Sequence, residues 1–195
     1  MNSDSKNIKI MHGNEACSEG AIIAGCNLFA GYPITPASEI SEVMANRMPQ
    51  VGAIFMQMED ELASINLLCG ASWGGLKVMT GTSGPGLDLM QEGIGFAYET
   101  EAPMVIVNVQ RGGPGGGQAT MGAQGDVMSA RYGNHGDTEM IVLAASSAQE
   151  ALDLTIRAFN LSEKYLMPVI LLTDEIVGHT RENVVLPENA EIFNR

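Results

Sequence analysis

Residues 104–117 read MVIVNVQRGGPGGG, and this stretch decides the fold class. Met104–Gln110 is apolar almost throughout, without polar alternation. That is the pattern of a strand covered on both faces of a sheet. PVILLT at 168–173 reads the same way. Outward from these runs, short apolar segments alternate with longer helical ones. Strands are expected at Ile8–Met11, Ala53–Met58, Lys77–Thr82 and Met140–Ala144. Helices are expected at Glu15–Ala30, Ala37–Met48, Glu59–Trp73, Pro85–Tyr98, Asp126–Arg131 and Ala148–Lys164. The alternation predicts an α/β fold: a doubly wound parallel sheet flanked by helices, with right-handed crossovers. Residues 1–182 form this domain, and the polar, aperiodic 183–195 is expected to be a linker or tail towards a further domain.

The chain has 195 residues, 45% of them apolar, which suits one domain with a real core. Its 23 Asp and Glu against 10 Lys and Arg give a formal charge of −13. Nucleic acid is a poor partner for such a chain, because phosphate binding needs a basic face. No apolar run approaches the roughly 18 uninterrupted residues of a membrane span, and MNSDSKNIKI carries no signal-peptide core. Cys17, Cys26 and Cys69 form no CxxC and read as buried thiols of a cytoplasmic protein. His12, His135 and His179 show no metal-ligand spacing.

In open α/β sheets ligands bind beyond the carboxyl ends of the strands. The informative residues are therefore Tyr32–Pro36, Glu59, Thr82–Gly86, Arg111–Gly117 and Asp174–Glu175. There is no GK[ST] and no dinucleotide fingerprint after the first strand, and the GTSG turn at 81–84 lacks the last glycine of a nucleophile elbow. Tyr32-Pro33-Ile34-Thr35-Pro36 is a stiff strand-to-helix turn, since each proline fixes φ and removes an N–H. It presents Thr35 in a fixed pose. Glu59-Asp60-Glu61 suits a helix N-terminus on electrostatic grounds alone. Glu59 also sits at a strand end beside Met56 and Met58, where partial desolvation would raise its pKa and suit it to hold a proton of a nitrogen heterocycle. Arg111 is the sole basic residue between Lys77 and Arg131, and its fork can grip a carboxylate; an ion pair with a surface acid is the plainer alternative. Thr82, Ser83 and Gly84 open the next helix, where backbone N–H groups can meet an anion or a ring edge. The 13 methionines suit packing or an adaptable subunit interface.

Taken together, these motifs resemble the α subunit of 2-oxoacid:ferredoxin oxidoreductases, in its pyrimidine-binding domain for thiamine diphosphate. The resemblance spans residues 8–182. It rests on GNEACSEGAIIAG (13–25), GYPITPASEI (31–40), QMEDELAS (57–64), GTSGPGLDLMQEGIGFA (81–97), VNVQRGGPGGG (107–117), QGDVMSARYGNHGD (124–137) and PVILLTDEIVGHTRE (168–182). The MEDE, QGDVM and DEIVGH segments look most like the 2-oxoglutarate type; the 2-oxoisovalerate and pyruvate types share YPITP but are less similar elsewhere.

The resemblance implies that Glu59 contacts the aminopyrimidine ring as the catalytic carboxylate, with Tyr32, Pro33, Ile34, Thr82, Ser83 and Gly84 in the cofactor pocket. It places Thr35 on the substrate side and Arg111 on the 2-oxoacid carboxylate, and leaves Asp126, Arg131 and His135 as loop-ordering residues. It implies oxidative decarboxylation of 2-oxoglutarate to succinyl-CoA and CO2, with coenzyme A as co-substrate and electrons passing to ferredoxin. Two departures stand out. Family α chains usually continue into a further domain, and this sequence has no GDG…N motif for diphosphate and metal. In the family that motif lies on the β subunit. Mg2+ and 4Fe-4S clusters are therefore expected on partner subunits, with β, and γ and δ as further candidates, in a hetero-oligomer. A non-catalytic assembly or binding domain remains the reading from another class.

Overall fold

Six strands form one parallel sheet in the order β3-β2-β4-β5-β7-β6. They belong to a computed structural model describing residues 7–195. In chain order the strands are β1 (Ile8–His12), β2 (Leu28–Gly31), β3 (Ile54–Gln57), β4 (Val78–Thr82), β5 (Met104–Gln110), β6 (Ile141–Ala144), β7 (Pro168–Asp174) and β8 (Arg181–Val185). The helices are α1 (Gly13–Ile23), α2 (Ser38–Arg47), α3 (Glu61–Trp73), α4 (Gly84–Glu99), α5 (Val127–Tyr132), α6 (Ala148–Tyr165) and α7 (Glu175–His179).

The two runs that suggested the fold lie side by side at its centre. β5 and β7 pair in parallel from Met104↔Pro168 to Gln110↔Asp174, and every residue of both is buried. Their side chains divide by parity, as the period of two in a strand requires. Val105, Val107, Val109, Val169 and Leu171 pack into one core with α1, α2 and α6. Met104, Ile106, Ile170 and Leu172 pack into the other, with α3 and α4. Burial on both faces is why these strands read as unbroken apolar runs, and helices on both faces make the sheet doubly wound. Cys17, Cys26 and Cys69 are buried and unpaired within these cores, and burial pushes their thiols up to about 12, about 12 and about 11.

Three expectations need correction. The helix read as Glu15–Ala30 ends at Ile23. Gly25, with φ of +83°, turns the chain, and Leu28–Gly31 becomes β2, fully buried between β3 and β4. The strand read at Ile8–Met11 exists but lies outside the parallel sheet, in an antiparallel ribbon with β8. Residues 183–195 are docked rather than frayed, and the expected boundary at 182 falls inside β8. Arg195 pairs with buried Glu163 and donates to the Ser72 carbonyl at 2.6 Å. The buried Lys77 ammonium donates to the carbonyls of Ala24 and Phe193 at 3.0 and 2.7 Å.

Candidate functional site

The parallel strands bring their carboxyl ends to one edge. There β2 leads into α2 on one face of the sheet, while neighbouring β4 leads into α4 on the other. A crevice opens where successive connections leave in opposite directions, and this is the usual ligand position of such sheets. The Tyr32–Pro36 turn and the Thr82–Gly86 turn flank it.

The first turn is largely open: Tyr32, Pro33 and Thr35 are exposed, Ile34 is half-buried, and Pro36 is buried. Pro36 does not open α2, whose N-cap is Ala37. Instead the Ala37 N–H closes back on the Ile34 carbonyl at 2.8 Å. Arg111, at the end of β5, reaches across and donates through Nη1 to the Thr35 carbonyl at 2.6 Å. Its Nη2 donates to the Gly116 carbonyl at 2.6 Å. One guanidinium thus ties the YPITP turn to the glycine loop, and the two residues expected on the substrate side lie together. The loop itself is folded back: Gln118 N–H donates to the Gly112 carbonyl at 2.7 Å, and Gly112 N–H to Met121 at 2.9 Å. Gly117, at φ of +63°, cannot be replaced there, because a Cβ would collide with that same Gly112 carbonyl.

At the second turn Thr82 and Ser83 are wholly buried. Ser83 is the N-cap of α4, yet its Oγ caps nothing and has no partner among the described residues. Asp126 lies over this turn, where a Cβ on Gly84 would sit 3.3 Å from its Oδ2. Asn108 Nδ2 donates to Asp126 at 2.9 Å, and the Asp126 N–H donates to Gln110 Oε1 at 3.1 Å. Asp126 therefore orders the loop after β5 and touches the site as well. Arg131 pairs with Glu139 and His135 lines a separate recess of about 590 Å³ beside the second half of α4, so neither joins this crevice.

The buried acid of the Glu59-Asp60-Glu61 segment is Glu61, not Glu59. Glu59 is exposed, because β3 is an edge strand and nothing covers its end; the desolvation argued from Met56 and Met58 is not supplied. Helix α3 starts later, at Glu61, with the Asp60 carboxylate accepting from Ala63 N–H at 2.7 Å as its cap. Glu61 is only 5% exposed. It packs against the Thr82–Gly86 turn, where a Cβ on Gly86 would sit 2.5 Å from its Oε1. No hydrogen bond from the described residues reaches its carboxylate. The sequence held a signal for this. The buried residues of α3 are Glu61, Ser64, Ile65, Leu68, Cys69 and Ser72, a helical stripe that begins at Glu61.

Glu61, a buried residue whose carboxylate has no partner among the described residues, and an uncapped serine hydroxyl beside a bare glycine Cα fit the ring end of a nitrogen heterocycle, which offers N–H groups and a flat face. Among the described residues no three His, Cys, Asp or Glu side chains gather as metal ligands, and no helix is long and apolar enough to cross a membrane.

Fold and crevice define a ligand-binding α/β domain, and comparison gives its family. The family described as "Pyruvate flavodoxin/ferredoxin oxidoreductase, thiamine diP-bdg" matches residues 19–195, and the chain belongs to it. It is 61% identical over 188 residues to the 2-oxoglutarate synthase subunit KorA of Methanocaldococcus jannaschii, covering 96% of this chain and 51% of that one. It is 47% identical over 183 residues to the ketoisovalerate oxidoreductase subunit VorB of Methanothermobacter thermautotrophicus, covering 93% and 52%. It superposes with a TM-score of 0.95, at 43% identity, on a 2-oxoglutarate:ferredoxin oxidoreductase from Magnetococcus marinus with 2-oxoglutarate, coenzyme A and succinyl-CoA bound. That match covers 97% of this chain and 34% of the other. The chain spans about half the length of the relatives just named from the two methanogens.

Proposed function

We propose that the chain is the pyrimidine-binding part of the α subunit of a thiamine diphosphate-dependent 2-oxoglutarate:ferredoxin oxidoreductase. The observation that carries this is Glu61, 5% exposed and with no partner for its carboxylate among the described residues, at the switch-point crevice of a chain in this family. When bound, the cofactor would supply a carbon nucleophile for a keto carbon and an electron sink for decarboxylation. This chain's residues supply position and charge. Glu61 accepts a hydrogen bond from a ring N–H and holds the protonated ring nitrogen, an interaction strengthened by exclusion of water. Gly86 and Gly84 let a ring approach the backbone, and the Ser83 hydroxyl is free to meet a polar edge of it. Arg111 holds the 2-oxoacid carboxylate next to Thr35 with the donors that the two backbone carbonyls leave free.

The metal, the iron–sulfur clusters and the diphosphate site belong, on this reading, to the partner β subunit. Coenzyme A takes up the succinyl group and ferredoxin takes the electrons, in a cytoplasmic hetero-oligomer. The identity of 61% to a 2-oxoglutarate synthase subunit against 47% to a ketoisovalerate subunit favours 2-oxoglutarate over the branched substrate. The test is co-expression with the neighbouring β chain, followed by viologen reduction with 2-oxoglutarate, 2-oxoisovalerate and pyruvate, each with coenzyme A. Reduction fastest with 2-oxoglutarate is expected. A preference for either other acid reassigns the substrate, and no reduction with any of them leaves a non-catalytic assembly domain.

A further inference from the structure

We propose that Asn14, Glu39 and His179 form a chain of positioning residues that sets the Tyr32–Pro36 turn and, through Thr35, the aim of Arg111; this rests on reading that turn as the substrate side. The turn needs outside support. Its two prolines remove two backbone donors, and its Thr35 and Pro36 carbonyls are satisfied by side chains of other elements. Arg111 takes the Thr35 carbonyl, and the buried Asn14 amide takes the next one, Pro36, at 2.7 Å. Asn14 is wholly buried in the first turn of α1, whose cap is supplied by His12. Its amide is therefore not needed by its own helix. The second Asn14 hydrogen goes to Glu39 Oε2 at 3.0 Å. A bare Gly178 makes room for it, since a Cβ there would lie 3.0 Å from Asn14 Oδ1.

Glu39 Oε2 also lies 3.2 Å from His179 Nε2, and His179 Nδ1 lies 3.4 Å from Glu175 Oε1. The line Glu175–His179–Glu39–Asn14 thus ends on the Pro36 carbonyl. Burial would raise the Glu39 carboxyl, but its own backbone N–H, His179 and Asn14 together hold it below the usual carboxylate range. It stays an anion that both neighbours need as an acceptor. The charged and titratable groups around His179 come from every element packed there: Glu39 of α2, Glu175 of α7 itself, and His12 at the end of β1, whose ring meets it edge-on at 6.3 Å. Glu15 of α1 and Arg181 of β8 flank His12 in turn. His179 can donate to Glu39, and without that partner Glu39, a third exposed, can swing to water.

The test uses the assembled enzyme with His179→Gln, which sits at the partly exposed end of the chain, and Glu39→Gln as the second variant. Hydrogen exchange of the peptide covering residues 31–40 should quicken about tenfold in both, the effect of losing one charge-assisted hydrogen bond. kcat/KM for the 2-oxoacid should fall by about tenfold, mostly through KM, with kcat within about twofold. Unchanged exchange over 31–40 in both variants would overturn the inference whatever the activity. Faster exchange with kcat and KM unmoved would cut the link to Arg111 and overturn it too. Wild-type enzyme without 2-oxoacid turnover would instead sink the functional reading, while the exchange comparison still decides the positioning claim.

Discussion

Glu61 and Glu59 stand two residues apart, carry the same charge, and should respond to the same substitution in opposite ways. Glu59 is exposed, so Glu59→Gln changes only a solvated charge. Glu61 is 5% exposed and packs on the Thr82–Gly86 turn. A buried carboxylate that holds a proton of the reacting ring is worth about 10²–10⁴-fold in rate. In the assembled enzyme Glu61→Gln should therefore lower kcat by about 10²–10⁴-fold, and Glu59→Gln by less than about twofold. Stability should not follow activity. No hydrogen bond from the described residues holds the Glu61 carboxylate, so in the cofactor-free protein the isosteric amide should leave stability within about 0.5 kcal/mol, or roughly 2 °C in Tm. The assay is viologen reduction under saturating substrate, paired with calorimetry on the cofactor-free proteins. Full loss of activity in Glu59→Gln with normal Glu61→Gln would refute the assignment. Loss of both activity and Tm in Glu61→Gln would refute the argument that its carboxylate is held for a ligand and not for the fold.

The remaining predictions concern the scaffold. Arg195→Ala leaves the Glu163 carboxylate, 4% exposed, without its guanidinium, and should lower stability by about 3–5 kcal/mol by chemical denaturation; a loss under about 0.5 kcal/mol would return residues 186–195 to the status of a tail. Burial holds His12 below its ordinary value of 6.5, and its ring nitrogen must stay unprotonated to cap α1. The unfolded chain takes up that proton first, so stability should fall as pH drops below 6.5 by about 1 kcal/mol, the worth of the cap. Glu39, held below 4.5, adds a second loss as pH falls through its lower folded value. A Tm that is flat from pH 7 to about pH 5 would contradict the His12 sign, and one flat from there to about pH 3 the Glu39 sign. With thiols raised to about 12, Cys17 and Cys26 should resist a thiol reagent at pH 8 in the native protein and react promptly on unfolding; prompt native labelling would show those cores to be open.

The centre of this fold was legible because its residues have one job. β5 and β7 are covered on both faces, and MVIVNVQ and PVILLTD carry little but apolar side chains. β2 was hidden because LFAG is short and follows an Ala- and Gly-rich helix closely, with only Gly25 and Asn27 to mark the turn. β8 was hidden because its ribbon with β1 exposes most of RENVV, so its polarity looked like a tail. The meeting of Arg111 with the Thr35 turn could be anticipated from strand ends alone, since parallel strands deliver their ends to one edge. The buried acid could not be anticipated that way. The strand-end rule points to the first acid after β3, whereas burial follows the helical period of α3, which starts at Glu61. Asn14 was out of reach for a related reason: its partners Pro36, Glu39 and Gly178 come from three separate segments.

The most direct measurement is a structure of the assembled enzyme with thiamine diphosphate bound. The account predicts a Glu61 carboxylate oxygen within hydrogen-bond distance, about 2.6–3.2 Å, of a pyrimidine ring nitrogen, with Glu59 in solvent or on the partner subunit. A ring nitrogen bonded to Glu59, or a cofactor ring outside the crevice between β2 and β4, would contradict it.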